Sequence, residues 1–171
     1  PFVPKTGLDE HRHKVLNDPL CAFGLRVLVG DGVDVLSTTN RQLDVRLRHR
    51  RLGLAKQIRD LCQAWLQARA REDFLPRCHH FAERLGVTMK SLRLSSAQTR
   101  WGSASADGSI RLNWRLVHFP LSLIDYVVAH ELSHLRVMDH SPRFWDTVQS
   151  VMPDYAVHCR TLKDEPLPPW S

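Results

Sequence analysis

Ala129-His130-Glu131-Leu132-Ser133-His134-Leu135-Arg136-Val137-Met138-Asp139-His140 is the stretch on which the reading of this chain turns. On a helix, residues four apart lie on one face, one turn apart. His130 and His134 placed that way can bind one metal ion, and Glu131 then sits beside that ion and not on it. A metal so held lowers the pKa of a water molecule, and the adjacent carboxylate takes the proton. Zinc hydrolases use this pairing. The motif is short enough to arise by chance, so its surroundings must decide.

The surroundings agree with it. Pro120 suits the first turn of a helix, and the pattern predicts a helix from there to about Val137. Wound at about 100° per residue, Leu123, Ile124, Val127, Val128, Leu132 and Leu135 share one broad apolar face. Glu131 falls within that face, and His130 and His134 lie at its edge. Ser122, Asp125, Ala129, Ser133 and Arg136 fall opposite, so Asp125 faces away from the metal. Asp139-His140-Ser141-Pro142 breaks the helix, which lets His140 fold back as a third ligand. Ser141 is the expected N-cap of a following helix that carries Phe144, Trp145, Val148 and Val151. Three imidazoles and a free glutamate leave a coordination position open, unlike the closed sites of structural zinc. The expected cofactor is Zn2+, one ion per chain, although nickel, cobalt or copper suits the same donors. The spacing from His130 to His140 equals that of the metzincin pattern HExxHxxGxxH. Val137, however, occupies the glycine position, so the turn is made differently and that label is not assigned.

Upstream, Gln98 to Trp114 reads as two antiparallel strands around Asp107-Gly108, a pair that favours a tight two-residue turn. This hairpin precedes the metal helix and is expected to pack beside it as a cleft wall. Val87 to Ser96 alternates apolar residues, among them Leu92 and Leu94. Ile58, Leu61, Cys62, Trp65 and Leu66 form the stripe of a long amphipathic helix. Pro76 marks a break, and a shorter helix from about Arg77 to Leu85 ends at Gly86. Residues 22–29 and 33–36 read as strands joined at Gly30-Asp31-Gly32 into a hairpin. Leu43, Val45 and Leu47 alternate with charged residues in a further strand. Downstream, Met152-Pro153 breaks the chain before a last helix from about Asp154 to Lys163.

The 171 residues fit one domain, or one domain with an appended piece. Residues 1–20 read as a tail or arm, 21–165 as a single domain, and 166–171 as a loose C-terminus. Within the domain, 21–50 is a β segment, 54–86 a helical segment and 87–165 the metal-site core. The fold class is α+β: a small antiparallel sheet packed on the metal helix, with an N-terminal β-hairpin and flanking helices. No run of 18 apolar residues exists, so no membrane span is expected. There is no charged-then-apolar leader, though a chain opening on Pro1 gives that little weight. The four cysteines, Cys21, Cys62, Cys78 and Cys159, form no Cys-X-X-Cys pair, which suits a reducing, cytoplasmic compartment. The net charge of +6 is concentrated: residues 41–60 hold seven basic side chains against two acids. That stretch contains no aromatic residue to stack bases, so an arginine-guarded strand edge is preferred over a nucleic-acid surface.

Several motifs together resemble the YgjP-like family of zinc metallopeptidases. They are Arg100-Trp101-Gly102-Ser103, Ile110 to Leu116, Ile124 to Leu135, Asp139-His140-Ser141-Pro142-Arg143-Phe144-Trp145 and Pro153-Asp154-Tyr155. The likeness is close over about residues 87–163. The SprT-like group is similar more distantly. The resemblance implies a zincin-like fold, His130, His134 and His140 as zinc ligands, Glu131 as general base and a peptide or protein substrate. The chain departs at Ala104, where the family often has cysteine, so that position is not a ligand here. Two other readings stay open. Arg93, Arg100, Arg111, Arg115 and Arg143 suit phosphates, which fits a nucleotide (phosphoanhydride) hydrolase. The basic 41–60 stretch fits a nucleic-acid-associated adaptor or protease. Arg100, Arg143, Tyr155 and His158 are unranked candidates to stabilise an oxyanion, and Trp101, Trp114 and Trp145 are expected in the core.

Overall fold

The computed structural model describes Gly24–Val29, Asp34–Thr39, Gln42–Leu47 and residues 54–164, with side chains from Lys56 onward. The chain divides into two compact units, Pro1–Cys62 and Gln63–Ser171. The expected tail at 1–20, the loose end at 166–171 and the side chains of the basic stretch before Lys56 lie outside the described residues.

In the first unit, β1 (Gly24–Val29), β2 (Asp34–Thr39) and β3 (Gln42–Leu47) form a sheet of order β1-β3-β2. The hairpin expected between residues 22–29 and 33–36 is not formed. β3 lies between those strands, parallel to β1 and antiparallel to β2, so the hairpin is β2–β3. The register explains the choice. It sets Leu25 against Leu43, Val27 against Val45 and Val29 against Leu47, so each apolar residue of the β3 alternation is paired with an apolar residue of β1.

The helix α1 (Leu54–Leu85) contains Pro76, where the sequence suggested a break. From Gln63 on it belongs to the second unit. Proline removes one helical N–H bond but does not disturb the side chains that carry the packing. Leu66, Ala70, Phe74, Cys78, Phe81 and Leu85 recur every three or four residues straight through Pro76, and all are buried. That stripe holds the helix together across the missing bond. α1 ends as predicted at Gly86, whose φ of +62° is the left-handed cap. The Gly86 N–H donates to Glu83 O and the Val87 N–H to Ala82 O, the paired bonds of a Schellman motif.

A second three-stranded sheet follows: β4 (Ser91–Ser95), β5 (Gly102–Ala104) and β6 (Ser109–Asn113), in the order β4-β6-β5. It is mixed, not purely antiparallel as expected, because β4 pairs with β6 in parallel. The predicted hairpin is β5–β6. Its turn is centred one residue earlier than read. Ser105 O accepts from the Gly108 N–H, and Gly108 (φ +88°) follows Ala106-Asp107 as the left-handed residue of a three-residue loop. Leu92, Ile110 and Leu112 are buried on one side of the sheet.

A 3₁₀ turn at Trp114–His118 leads into α2 (Leu121–Ser133), then α3 (Pro142–Val151) and α4 (Tyr155–Asp164). α2 is the central element and packs against β5, β6, α3 and α4. Burial therefore covers more of it than one face. Ala129 and Ser133, read as opposite the core, are fully buried, and Ser133 Oγ donates to Ala129 O at 2.7 Å. Asp125 does face away from the histidines and pairs with Arg77 of α1. Among the described residues no helix is long and apolar enough to cross a membrane.

Candidate metal centre

α2 closes four residues earlier than its pattern suggested, and that early end brings the third histidine round. The last turn tightens: the Leu135 N–H donates to Leu132 O and the Arg136 N–H to Ser133 O, both at 3.0 Å. The turn at Val137 thus needs no glycine. His134 Nδ1 lies 3.2 Å from Val137 O, so a donated proton there fixes the ring and leaves Nε2 with its lone pair. Asp139 Oδ1 accepts from the Ser141 N–H at 3.2 Å and turns the chain into α3. Ser141 holds the N-cap position as expected, but its side chain makes no capping bond.

The three histidines meet. One ring nitrogen from each of His130, His134 and His140 lies within 4.8 Å of the others. His130 Nε2 and His140 Nε2 are 3.2 Å apart. Ligands about 2.0–2.1 Å from a tetrahedral zinc stand roughly 3.3 Å from one another, so this pair is spaced as chelating imidazoles are. His130 is half-buried, His134 buried and His140 exposed, so the cluster opens to solvent on the His140 side. His130 Nδ1 is buried and has no hydrogen-bond partner among the described residues, which leaves Nε2 as the nitrogen that must do this ring's polar work.

Phe144, fully buried on α3, forms the floor of the cluster. Its ring centroid lies 4.4 Å from that of His134, nearly parallel, and 4.9 and 4.8 Å from those of His130 and His140. Trp145 covers His140 at 5.8 Å and stacks on Tyr155 at 5.3 Å. The sequence read Phe144 only as an apolar helix residue and Trp145 as core. The available signal was nearness in sequence: Phe144 lies in the first turn of α3, four residues after His140.

Burial keeps His130 and His134 neutral. Burial, reinforced by the charges His134 and His140 would carry, pushes His130 down to about 3. Burial also lowers His134. Neutral imidazole is the form that binds a metal. Glu131 is buried with 7% of its surface exposed, and burial raises its carboxyl to about 7 against the opposing pull of Arg100. A carboxyl in that range both accepts and gives up a proton near neutral pH.

The sequence matches the family model of the YgjP-like, metallopeptidase domain over residues 25–165. This chain belongs to the YgjP-like metallopeptidase family. Among solved structures, the YgjP-like chain is similar to the metallopeptidase zymogen of Pyrococcus abyssi abylysin. The TM-score is 0.48 at 22% identity, covering 53% of this chain and 93% of that one. No curated protein sequence matches it significantly.

Around the cluster of this YgjP-like domain the remaining candidates separate. Arg100 is exposed and close enough to act on Glu131. Tyr155 reaches the cluster through Trp145. His158 is engaged with Asp154 at 3.1 Å. Arg143 lines a cavity of about 380 Å³ with Arg136, Val137, Asp146, Thr147 and Ser150, and none of the three histidines borders it. Trp114 is core, fully buried, whereas Trp101 and Trp145 are half-buried. Asn113 was not singled out. It is fully buried at the end of β6 and donates through Nδ2 to Ala97 O at 2.7 Å and Arg100 O at 3.2 Å. Asparagine is disfavoured in strands, and that was its visible signal.

Proposed function

We propose that the chain is a zinc-dependent peptide hydrolase in which His130, His134 and His140 hold the metal and Glu131 is the general base. The convergence of three imidazoles beside a buried carboxyl carries the reading. Zinc held there supplies Lewis-acid polarisation of a scissile carbonyl and lowers the pKa of water. The chain's own residues do the rest. Glu131 takes the proton of the attacking water on a carboxylate oxygen and later gives it to the departing amine. Phe144 and the Val137 carbonyl hold the imidazoles in place, and the exposed side at His140 admits the substrate. Arg100, exposed and close enough to act on Glu131, is placed to meet negative charge on the substrate. One zinc ion per chain and a peptide or protein substrate complete the assignment.

Glu131→Gln preserves shape and removes the base. The zinc-loaded variant is expected to keep its metal and lose at least about 100-fold in hydrolysis of an unfolded protein such as casein. Undiminished hydrolysis contradicts the assignment. A phosphoanhydride substrate is the second reading, and the exposed Arg100 beside Glu131 favours it. Phosphate or pyrophosphate release from nucleoside triphosphates, measured beside casein cleavage, separates the two.

A further inference from the structure

Gly102 sits in β5, an edge strand of the second sheet, opposite Leu112 of β6. Its φ is not in the left-handed region, which among the described glycines is occupied by Gly86 and Gly108. The backbone at 102 therefore accepts any residue, and the reason for glycine lies in space. A Cβ built there meets Glu131 at 2.5 Å from Oε1, 2.6 Å from Cγ and 2.7 Å from Cδ. Real Cβ atoms essentially never come so close, so a side chain at 102 forces the Glu131 arm to move.

The backbone of β5 is not free to yield, so the carboxylate arm of Glu131, held by burial alone, is the part that must shift. Glu131 projects from the central helix and is buried. β5 is tied at its start: the Asn113 N–H donates to Trp101 O at 2.8 Å, and Asn113 Nδ2 holds the Arg100 carbonyl. Trp101 packs edge-on against Phe119 with ring centroids 4.9 Å apart. The preceding loop is pinned again where Trp114 Nε1 donates to Ser96 Oγ at 3.2 Å. The carboxylate arm is thus confined between its own helix and a bare Cα that other residues hold still.

We propose that Gly102 is a positioning residue for Glu131: the missing side chain is the wall that sets where the carboxylate points. Asn113 acts one step further back, by fixing the height of that wall. This rests on Glu131 being the general base. A general base works only within hydrogen-bond reach of the proton it takes, and a displacement of about 1 Å costs roughly 100-fold in rate. Gly102→Ala therefore acts on the chemical step, while the metal ligands, which lie along α2 and beyond it, stay in place.

Two measurements on the full chain test this. The first is a stability cycle on the zinc-free protein that reads thermal midpoints and needs no substrate. Gly102→Ala is expected to lower Tm in the wild-type background and to have little effect in a Glu131→Ala background, where the clashing arm is gone. Folding of Gly102→Ala only in the Glu131→Ala background supports the proposal equally. Equal losses in both backgrounds, or failure to fold in both, overturn it. The second is casein-peptide hydrolysis by the zinc-loaded variants. Gly102→Ala is expected to lower kcat about 100-fold with KM and zinc content unchanged. In a Glu131→Asp background, where the arm is one methylene shorter, the added loss is expected to be small. If Glu131→Gln hydrolyses as fast as wild type, the general-base reading falls and the proposal with it. If Glu131→Gln is inactive while Gly102→Ala keeps full kcat, the proposal alone falls.

Discussion

Phe144 touches all three histidines while its own ring is fully buried. A flat ring at that point restricts three imidazoles at once, a task more often done by hydrogen bonds to the outer ring nitrogens. Phe144→Leu keeps apolar volume and loses the plane. It is expected to weaken zinc binding about tenfold, read by competition with a chromophoric chelator, for a stability cost near 1 kcal/mol. Unchanged affinity would reduce Phe144 to core packing. Cys78 shows burial acting on a thiol far from chemistry. It is fully buried on α1, and desolvation raises it from the ordinary 9.0 to about 12. The folded state therefore favours the thiol. Its stabilising effect is complete below pH 9 and is lost as pH climbs from 9 towards 12, because unfolded chains ionise first. Urea midpoints are expected to show wild type losing roughly 1 kcal/mol more than Cys78→Ala between pH 8 and 10; parallel curves contradict it.

At the scale of elements, local signals and packing compete, and α1 shows which prevails. Pro76 is a legible breaker, yet the buried stripe from Leu66 to Leu85 runs through it. Continuity there depends on contacts with other elements, which no local pattern contains. Because helix geometry persists, Pro76→Ala restores an N–H bond and is expected to raise stability by about 1–3 kcal/mol. Part of that gain is offset by the greater freedom of the unfolded chain. A lowered urea midpoint would mean that α1 needs its proline. The strands teach the same lesson. Gly30-Asp31-Gly32 is a fair turn signal, but the matching alternation of β1 and β3 decides the pairing. Where a turn residue has one backbone solution, as at Gly86 and Gly108, the reading holds to within a residue.

Across the whole molecule, the legible part of the site is the part written along one helix. His130 and His134 follow from four-residue spacing, and His140 from the break at Asp139-His140-Ser141-Pro142. What surrounds them was not legible. Gly102, Asn113 and Phe144 act across the fold, through β5, β6 and α3; the first two carry no periodic mark, and the periodicity that marks Phe144 says only that it is buried. A site assembled from α2 and α3 beside an open face ties metal binding to folding. Anything that binds only the folded state stabilises it, by about 4 kcal/mol at a thousand times its Kd. The most direct test of the account is the zinc content of protein purified without added metal, wild type beside His134→Ala. One zinc per wild-type chain is expected, with its loss from the folded variant. Wild type without metal, or a variant that keeps a full equivalent, contradicts it.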